Sequence, residues 1–357
     1  MVKPQPSKLV TWVRFPSSAP VEFVLGVDVL RFLSSPKFWN DENSRLVKIL
    51  SPLSKVYSFV SNARLNSVTP EKAAVPVVCV GNVVLGGAGK TPTVEFVCNI
   101  LREKFATPHI LTAGYGGYLK NVVRVDTRLH SYLQVGDEAL LSARVAPTWV
   151  GRNRVNSGKA AVSAGADVLV MDDGFQNNSL EKNLKILVVD AKQGFGNGHL
   201  FPAGPLRESA RSGIRKSDMV LVIGERNAGL EERIRSLDAS IPIFNAKMEV
   251  VEPLEVEDNR VIGFCGLGYP PKFKKTLADC GYNIIDFVAF SDHHPYTITE
   301  IQKLIGAAKS VGARLVTTMK DYVKVPEVFK NEMSVIKIRL TTEDNTFKQT
   351  ILQRVGK

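Results

Sequence analysis

Runs of apolar residues alternate along the chain with segments of helical periodicity. Five short, nearly continuous apolar runs predict buried parallel strands over residues 75–80, 108–112, 167–171, 185–189 and 218–223. Apolar positions at helical spacing follow the first of these runs, and such alternation is typical of a mostly parallel sheet flanked by helices. We therefore predict an α/β fold built on that sheet.

A change in composition predicts where the larger sheet domain ends. The stretch 250–259 is rich in acidic residues, and a new apolar run begins at Arg260. We interpret the acidic stretch as a linker that precedes a second, smaller α/β domain. The predicted division is an extension or targeting segment over 1–45, a larger domain over 46–255 and the smaller domain over 256–357.

The beginning of the chain has a distinctive charge pattern. Residues 1–21 contain no acidic residue but carry three basic residues and several serines, which resembles an organellar transit peptide. A disordered terminus is the alternative. Further on, Ser51 and Pro52 predict the start of a helix that extends to about residue 65. This helix is basic and amphipathic, so it either lies on a membrane or packs onto the domain.

Overall charge narrows the classes of partner. The 357 residues include 46 Lys or Arg and 35 Asp or Glu, which gives a formal net charge of +11. A basic protein favours anionic partners such as phosphorylated substrates or anionic lipid. The sequence has no dense basic tract interleaved with aromatic residues, so it does not favour nucleic acid as a partner. No protein partner is inferred. No apolar run reaches the ~20 residues of a membrane-spanning helix.

A glycine-rich segment connects the first predicted strand to a helix. The order of strand, glycine loop, Gly-Lys-Thr and helix is typical of a phosphate-binding P-loop. In such a loop the backbone amides surround phosphate oxygens, the lysine reaches the β- and γ-phosphates, and the threonine binds Mg²⁺. Val84 departs from the strict pattern, which has glycine there. The predicted nucleotide-binding residues are Gly86, Gly87, Ala88, Gly89, Lys90 and Thr91.

Carboxylates occur in two segments that could meet the P-loop. Asp172 and Asp173 follow a buried strand, so we predict that Asp172 supports Mg²⁺ and that Asp173 supports it indirectly or binds a second metal ion. A simple turn is the alternative. Asp137 begins a helix, where it is either an N-cap or, beside a γ-phosphate, a general base.

Two further polar clusters follow predicted strands. Arg207 lies in a long loop rich in glycine and proline, where it could clamp a phosphate or simply pair with Glu208. His293 and His294 follow an apolar run without a third metal ligand nearby. One histidine working with a carboxylate is therefore a simpler role than metal binding, and a turn before a helix capped by Thr297 is the alternative.

Together these segments resemble the tetraacyldisaccharide 4'-kinases, the lipid A 4'-kinase family, over about residues 50–325. The resemblance implies a P-loop kinase that uses ATP and Mg²⁺ to phosphorylate the 4'-hydroxyl of an acylated glucosamine disaccharide 1-phosphate, a lipid A precursor. Ala113 and Asn177 depart from the arginine and histidine usual in the family. The segments that carry the resemblance are 80–82, 86–92, 114–117, 135–138, 172–176, 195–198, 202–208, 292–296 and 320–321.

The resemblance also implies roles for individual residues. Asp137 would be the catalytic base, assisted by His293, and the two domains would close on the substrate to bring these residues together. Lys90, Thr91, Asp172 and Asp173 would handle phosphate and Mg²⁺. Tyr115, Glu138, Gln176, Arg207 and Glu208 would line the substrate site.

Family resemblance further implies a membrane surface as a partner. Its members are peripheral membrane proteins, and an N-terminal helix takes part in docking. Combined with the acid-free start of the chain, this favours a eukaryotic organellar member associated with the mitochondrial inner membrane. The alternative is the cytoplasmic face of a bacterial inner membrane.

Two other classes of protein remain as alternatives. A P-loop GTPase or metallochaperone would need a guanine signature or a Cys/His metal store, and the sequence shows neither. A non-catalytic, membrane-attached nucleotide-binding protein would be expected to have lost at least one residue among Lys90, Thr91, Asp137, Asp172 and His293.

Overall fold

The structure is a computed structural model that describes residues 36–41, 43–251 and 259–356. The predicted transit segment and most of the predicted linker lie outside the described residues. The helices are α1 (Arg45–Asn66), α2 (Lys90–Leu101), α3 (Tyr132–Val135), α4 (Asp137–Ser142), α5 (Arg154–Ser163), α6 (Ala210–Arg215), α7 (Ala228–Leu237), α8 (Pro270–Asp279), α9 (Ile298–Ser310), α10 (Met319–Tyr322) and α11 (Asn345–Val355). The strands are β1 (Val77–Gly81), β2 (Pro108–Thr112), β3 (Val123–Arg124), β4 (Thr148–Val150), β5 (Val168–Asp172), β6 (Leu184–Asp190), β7 (Met219–Ile223), β8 (Ile243–Val250), β9 (Arg260–Cys265), β10 (Asn283–Ala289), β11 (Arg314–Thr318), β12 (Met333–Ile336) and β13 (Ile338–Thr341).

The larger sheet places the P-loop strand at its centre. Within the described residues its order is β13-β8-β7-β6-β1-β5-β2-β4-β3, and the pairs are parallel except at the two ends, where β13 and β3 run antiparallel to their neighbours. Val80 of β1 is in register with Asp172 of β5. The P-loop and the Asp172–Asp173 pair therefore emerge at the same carboxyl edge of the sheet, where ligands gather in open α/β sheets.

Continuous apolar runs explain these central strands. Every residue of β1, β2, β5 and β7 is buried, as expected of a parallel sheet covered on both faces. All five predicted strands form within two residues of their predicted bounds. The predicted α/β fold is confirmed.

The smaller domain is a second sheet covered on both faces. Its four strands are all parallel, in the order β10-β9-β11-β12. Side chains of α9 pack into one apolar cluster and side chains of α8 into another. The loop after β10 and the short helix α10 after β11 leave the same edge of this sheet, and they carry His293 and Lys320.

The end of the chain belongs to the larger domain, contrary to the predicted division at residue 256. β13 pairs with β8, and Phe347 and Ile351 of α11 are fully buried in the core around α2. The ring of Phe347 stacks on Phe96 with the centroids 5.9 Å apart. The pairing of β13 with β8 joins residues about ninety positions apart, so no local sequence pattern predicts it.

The first helix also begins earlier than predicted. α1 starts at Arg45, and Pro52 lies inside it rather than at its first turn. Proline leaves the carbonyl four residues back without its usual donor. Packing offsets that loss, because the Ser54 hydroxyl donates to the Leu200 carbonyl at 2.8 Å and the Tyr57 ring packs edge-on against Phe201 at 5.6 Å. In the described part of the chain, no helix combines the length and apolarity that crossing a bilayer requires.

Candidate active site

The glycine loop has the geometry of a phosphate cradle. Gly89 is the N-cap of α2 and has a φ of 88°, and a Cβ there would lie 2.8 Å from the Ile223 side chain. Lys90 points back across the loop, with its Nζ 3.3 Å from Asn82 Oδ1 and 3.7 Å from Asp173. An ammonium group and a helix N-terminus thus face one space, an arrangement suited to phosphate.

Val84 has a packing role at the position where the strict pattern has glycine. Its side chain is buried in the core, and its carbonyl accepts from Asn82 Nδ2 at 2.8 Å. The same stretch forms a bridge to Leu206. The long glycine- and proline-rich loop therefore supports the beginning of the P-loop.

Asp173 is engaged by two cations. Arg207 Nη1 donates to both carboxylate oxygens of Asp173, at 3.0 and 2.8 Å. Burial alone would raise the pKa of Asp173, but Arg207 and Lys90 outweigh it and hold the pKa at about 2. Asp173 also has a left-handed φ of 55°, a strained conformation that is often found at functional sites.

Asp172 lies in the opposite environment. Its Oδ2 is buried and has no hydrogen-bond partner. Burial, followed by the charge of Glu138, raises its pKa to about 7. The charges of Lys90 and Arg154 oppose this rise without overcoming it, and Arg154 donates its hydrogen bonds to the carbonyls of Thr112 and Gly151.

This unpartnered carboxylate suits a divalent cation. No cluster of three or more His, Cys, Asp or Glu side chains able to hold a metal occurs among the described residues. Mg²⁺ beside a nucleotide commonly uses only one or two carboxylates and takes its other ligands from phosphate and water. Asp172 and the Thr91 hydroxyl fit that requirement, whereas a cation at Asp173 would have to displace Arg207.

A second group of polar residues surrounds Glu208. Its carboxylate accepts from Gln176 at 2.8 Å and from Lys216 at 2.6 Å. Gln176 also donates to the Asn82 carbonyl and accepts from Arg207. The predicted alternative of a simple Arg207–Glu208 pair is wrong, because Arg207 binds Asp173 and Glu208 binds Lys216. These bonds connect the P-loop to the loop that carries Arg207.

Asp137 is positioned by two glycine segments packed against each other. It is the first residue of α4, and Gly136 rather than Asp137 is the N-cap. Gly136 has a φ of 89°, and a Cβ there would overlap the Tyr115 carbonyl. A Cβ on Gly117 would come within 2.5 Å of the Gln134 carbonyl. Glycines in both segments allow the close approach that fixes the position of Asp137 at the start of α4.

His293 of the smaller domain meets Asp137 of the larger one. Its Nδ1 lies 3.0 and 2.8 Å from the two carboxylate oxygens of Asp137. Burial alone would raise the pKa of Asp137, but the hydrogen bond with His293 and the charges of Lys320 and Lys324 bring it below its usual value. The predicted approach of His293 to Asp137 on closure is thus already complete in this structure. The Tyr115 ring packs edge-on against His293 at 5.4 Å.

One cleft of about 2350 Å³ between the two domains brings these groups together. Its walls include the predicted nucleotide-binding residues and most of the predicted substrate residues. Asp172, Glu208 and Asp137 lie behind this lining, since each is almost completely buried. Predicted residues that line the cleft are Gly86, Gly87, Ala88, Gly89, Lys90, Thr91, Tyr115, Glu138, Asp173, Gln176, Arg207 and His293.

Sequence reasoning assigned no role to three residues that contact the site. Asn82 accepts from Lys90, Arg154 lies behind Asp172, and Lys320 contacts His293. Asn82 directly follows the buried strand β1, and Lys320 lies two residues after the end of β11. Polar residues at strand ends are therefore the signal that could have found these two.

Comparison with known proteins decides the family. A family model described as tetraacyldisaccharide-1-P 4'-kinase matches residues 46–356. The chain belongs to this family. Among relatives of this kinase family, the tetraacyldisaccharide 4'-kinase of Paramagnetospirillum magneticum is 39% identical over 325 residues, covering 91% of this chain and 99% of the relative. That of Parvibaculum lavamentivorans is 41% identical over 296 residues, covering 81% and 86%.

A solved structure of the kinase family is also similar. It is the crystal structure of LpxK from Aquifex aeolicus in complex with ATP, with a TM-score of 0.69 and 25% identity. The match covers 87% of this chain and 99% of that one. The predicted family and the predicted function as an ATP-dependent tetraacyldisaccharide 4'-kinase are confirmed.

Proposed function

We propose that this kinase moves the γ-phosphoryl group of ATP to the 4'-hydroxyl of an acylated glucosamine disaccharide 1-phosphate, with Asp137 as the base. The observation that carries the proposal is the contact between Asp137 and His293 beside the cleft that also holds Lys90. A carboxylate with a lowered pKa is ionised at neutral pH and can accept the proton of an attacking hydroxyl.

Several residues of the cleft handle phosphate charge in this proposal. The glycine loop and Lys90 bind the β- and γ-phosphates, and Arg207, oriented by Asp173, reaches the transferring group. Thr91 and Asp172 would hold Mg²⁺, and Asp173 would act through Arg207 and Lys90. When bound, Mg²⁺ neutralises developing phosphate charge. Tyr115, Glu138 and Gln176 would line the acceptor side, and Glu208 would hold Gln176 in place.

Asp137→Asn tests the base directly. It keeps the shape of the side chain but removes the ability to take a proton, so we expect kcat to fall by about 10²–10⁴-fold. The KM for ATP should change little, because Asp137 is separate from the P-loop. The assay follows label from ATP into a panel of acylated disaccharide phosphates, with GTP as the competing nucleotide.

A matched variant completes this experiment. Asp286→Asn makes the same chemical change on an exposed residue of the edge strand β10 and should behave as wild type. Near-normal kcat in Asp137→Asn, with the control also unchanged, contradicts the assignment of the base. Failure of every disaccharide to accept phosphate contradicts the proposed reaction itself.

We also propose that α1 docks the enzyme on a membrane surface. Its apolar residues at helical spacing face solvent, with Ile49 69% exposed and Phe59 76% exposed. An apolar stripe of this size on a basic helix is typical of an interfacial helix. Exposed apolar residues of α1 are Leu46, Ile49, Leu53, Val56, Phe59 and Val60.

The opposite side of α1 supports a link between docking and catalysis. Ser54 and Tyr57 contact the loop that also carries Arg207, through Leu200, Ala203 and Phe201. The helix therefore lies next to the site and leaves its apolar stripe free. A substrate with acyl chains in a bilayer would present its hydroxyl just above that surface.

A charge placed in the stripe tests this docking. Ile49→Glu should reduce pelleting with vesicles that contain anionic lipid, because an ionised carboxylate resists burial in the interface. Asn62→Glu adds the same charge to the exposed, polar side of the same helix and serves as the control. Equal pelleting of Ile49→Glu and wild type would show that α1 does not mediate docking, as would full pelleting of protein truncated through residue 65.

Localisation remains a separate proposal that depends on residues 1–21. Their basic, acid-free composition supports a mitochondrial inner-membrane location, with the cytoplasmic face of a bacterial inner membrane as the alternative. The relatives named above are bacterial and do not bear on the targeting segment. Fusing residues 1–45 to a fluorescent protein in eukaryotic cells tests the proposal, and a diffuse signal contradicts it.

A further inference from the structure

Both ring nitrogens of His293 contact charged residues. Nδ1 faces the Asp137 carboxylate at 2.8 Å, and Nε2 faces Lys320 Nζ at 3.1 Å. The ring thus lies between a carboxylate and an amine. Since a neutral imidazole carries one proton, these two neighbours determine which nitrogen holds it.

Lys320 is held as an ammonium ion. Its Nζ donates to Asp292 Oδ1 at 3.0 Å. Burial alone would lower the pKa of Lys320, but Asp292, Glu138 and Asp137 outweigh it and raise the pKa well above its usual value. An ammonium group has three donors and no acceptor, so its contact with Nε2 must be a donated hydrogen bond.

Lys320 and His293 are also fixed relative to each other by the backbone. The His293 amide donates to the Gly266 carbonyl at 3.3 Å, while the Gly266 amide donates to Asp321 Oδ1 at 2.9 Å. Asp321 is fully buried and also accepts from the Tyr296 hydroxyl at 2.8 Å. The buried Asp321 carboxylate thus connects α10, which carries Lys320, through Gly266 to the loop that carries His293.

We propose that Lys320 is a positioning residue that fixes the tautomer of His293, donating to Nε2 so that the ring proton stays on Nδ1 and points at Asp137. The proposal rests on the proposed role of Asp137 as base. With the proton on Nδ1, His293 donates to Asp137 and keeps it a carboxylate. A proton on Nε2 instead would place two lone pairs face to face at Nδ1 and Asp137.

This arrangement determines where the proton of the acceptor hydroxyl goes. As the hydroxyl oxygen bonds to the γ-phosphorus and the bond from that phosphorus to the bridging oxygen of the leaving ADP breaks, the hydroxyl proton moves to Asp137. It cannot continue through the ring to Nε2, because Lys320 occupies the Nε2 lone pair. Asp137 therefore holds the proton until it is released to solvent or product.

Nuclear magnetic resonance of the wild-type protein gives the decisive measurement. The chain has five histidines, so ¹⁵N-histidine labelling gives few signals, and a His293→Gln sample identifies those of His293. Long-range ¹H–¹⁵N spectra at pH 7 distinguish protonated from unprotonated ring nitrogens. We expect Nδ1 protonated and Nε2 unprotonated, and a protonated Nε2 overturns the proposal.

Two substitutions separate the donor from the charge. Lys320→Gln keeps an N–H donor near Nε2, whereas Lys320→Met removes it at similar length. The Gln variant should keep the Nδ1–H tautomer, and the Met variant should show a mixture with Nε2–H. We expect kcat to fall about tenfold or more in the Met variant, with the KM for ATP unchanged and the Gln variant partly restoring kcat.

Lys309→Met is the matched control for these variants. Lys309 lies on α9 of the same domain, where it pairs with Glu332 at 2.8 Å, and its loss should change neither tautomer nor kcat. An unchanged His293 tautomer in folded Lys320→Met overturns the proposal. Because the spectra require no turnover, the tautomer can be established even if the proposed acceptor proves wrong.

Discussion

Three aspartates within one site have different pKa values, and the charges and burial around each carboxyl group explain the differences. Asp173 faces Arg207 and Lys90, so its pKa is held at about 2. The pKa of Asp137 is also lowered, by His293 and two lysines that outweigh burial. Asp172 is buried beside Glu138 without a hydrogen bond at Oδ2, and its pKa rises to about 7. Such separation assigns distinct roles to chemically identical groups.

Asp172 predicts a specific pH dependence of stability in the absence of nucleotide and metal. Its folded pKa lies above its unfolded one, so the folded state binds more protons between about pH 4 and pH 7. This contribution to stability is present at low pH and is lost as pH rises through that window. At pH 8, the free energy of unfolding of Asp172→Asn should therefore exceed that of wild type by at least about 1 kcal/mol. This difference in free energy should shrink at pH 5.

Denaturant titrations at the two pH values check this expectation. Asp286→Asn, on an exposed strand residue, is the control and should show no pH-dependent difference from wild type. A difference between Asp172→Asn and wild type that is the same at pH 5 and pH 8 would contradict the raised pKa. Added Mg²⁺ with ATP should reverse the order, because the cation requires the ionised carboxylate.

The positions of single residues were predictable where they lie at the end of a buried strand or at the start of the helix after it. Lys90, Thr91 and Asp172 could be placed because the carboxyl ends of adjacent parallel strands meet at one edge. Trp39 could not be, because the residues it meets are distant in sequence. Its indole nitrogen donates to the Pro202 carbonyl at 3.2 Å, and its ring packs against Phe201.

At the scale of elements, the two packed glycine segments fix the direction of α4. Gly136 combines a positive φ with contact to the Tyr115 backbone, so Gly136→Ala should strain the turn and also displace Asp137. Gly136 combines a φ of 89° with a ψ of 150°, a backbone region found essentially only for glycine, and this conformation alone costs about 1–3 kcal/mol for a residue with a side chain. We expect a loss of stability above that value and at least tenfold lower kcat by displacement of the base.

Gly165→Ala is the matched control for this turn. Gly165 has a similar φ of 94°, but no atom lies within 4 Å of where its Cβ would be. Gly165→Ala should lose only the stability that corresponds to the strained backbone conformation, and it should keep wild-type kcat. Thermal unfolding with steady-state kinetics checks both variants, and equal kcat in the two would show that the contact with Tyr115 does not position Asp137.

Elements differ in how well local pattern predicts them. The central strands are continuous apolar runs because both faces are buried, so their bounds were predicted within two residues. α1 was predicted to start at Pro52, the usual place of a proline, yet it starts at Arg45. Its contacts with the Leu200–Ala203 loop stabilise the interior proline, and those contacts are invisible in a local window.

At the scale of the whole molecule, the two domains share one site. The larger domain provides Lys90 and Asp137, while the smaller domain provides His293. Further contacts cross the cleft, since Lys272 pairs with Asp190 at 3.2 Å and Lys192 contacts the Tyr269 hydroxyl. Ion pairs with an exposed partner contribute little stability, whereas His293 contacts an aspartate that is almost completely buried.

The chain returns to the larger domain after the residues of the smaller domain, and α11 packs into the larger core. Phe347 is fully buried between Phe96 and Phe244, so Phe347→Ala should cost about 3–5 kcal/mol through a cavity in the P-loop domain. Phe273→Ala removes a comparable ring from the smaller domain, where it packs near Phe287. Hydrogen exchange should rise in α2 and β8 for the first variant and in β9 and β10 for the second. If Phe347→Ala instead loosened β9 and β10, the end of the chain would belong energetically to the smaller domain, as the apolar pattern alone suggested.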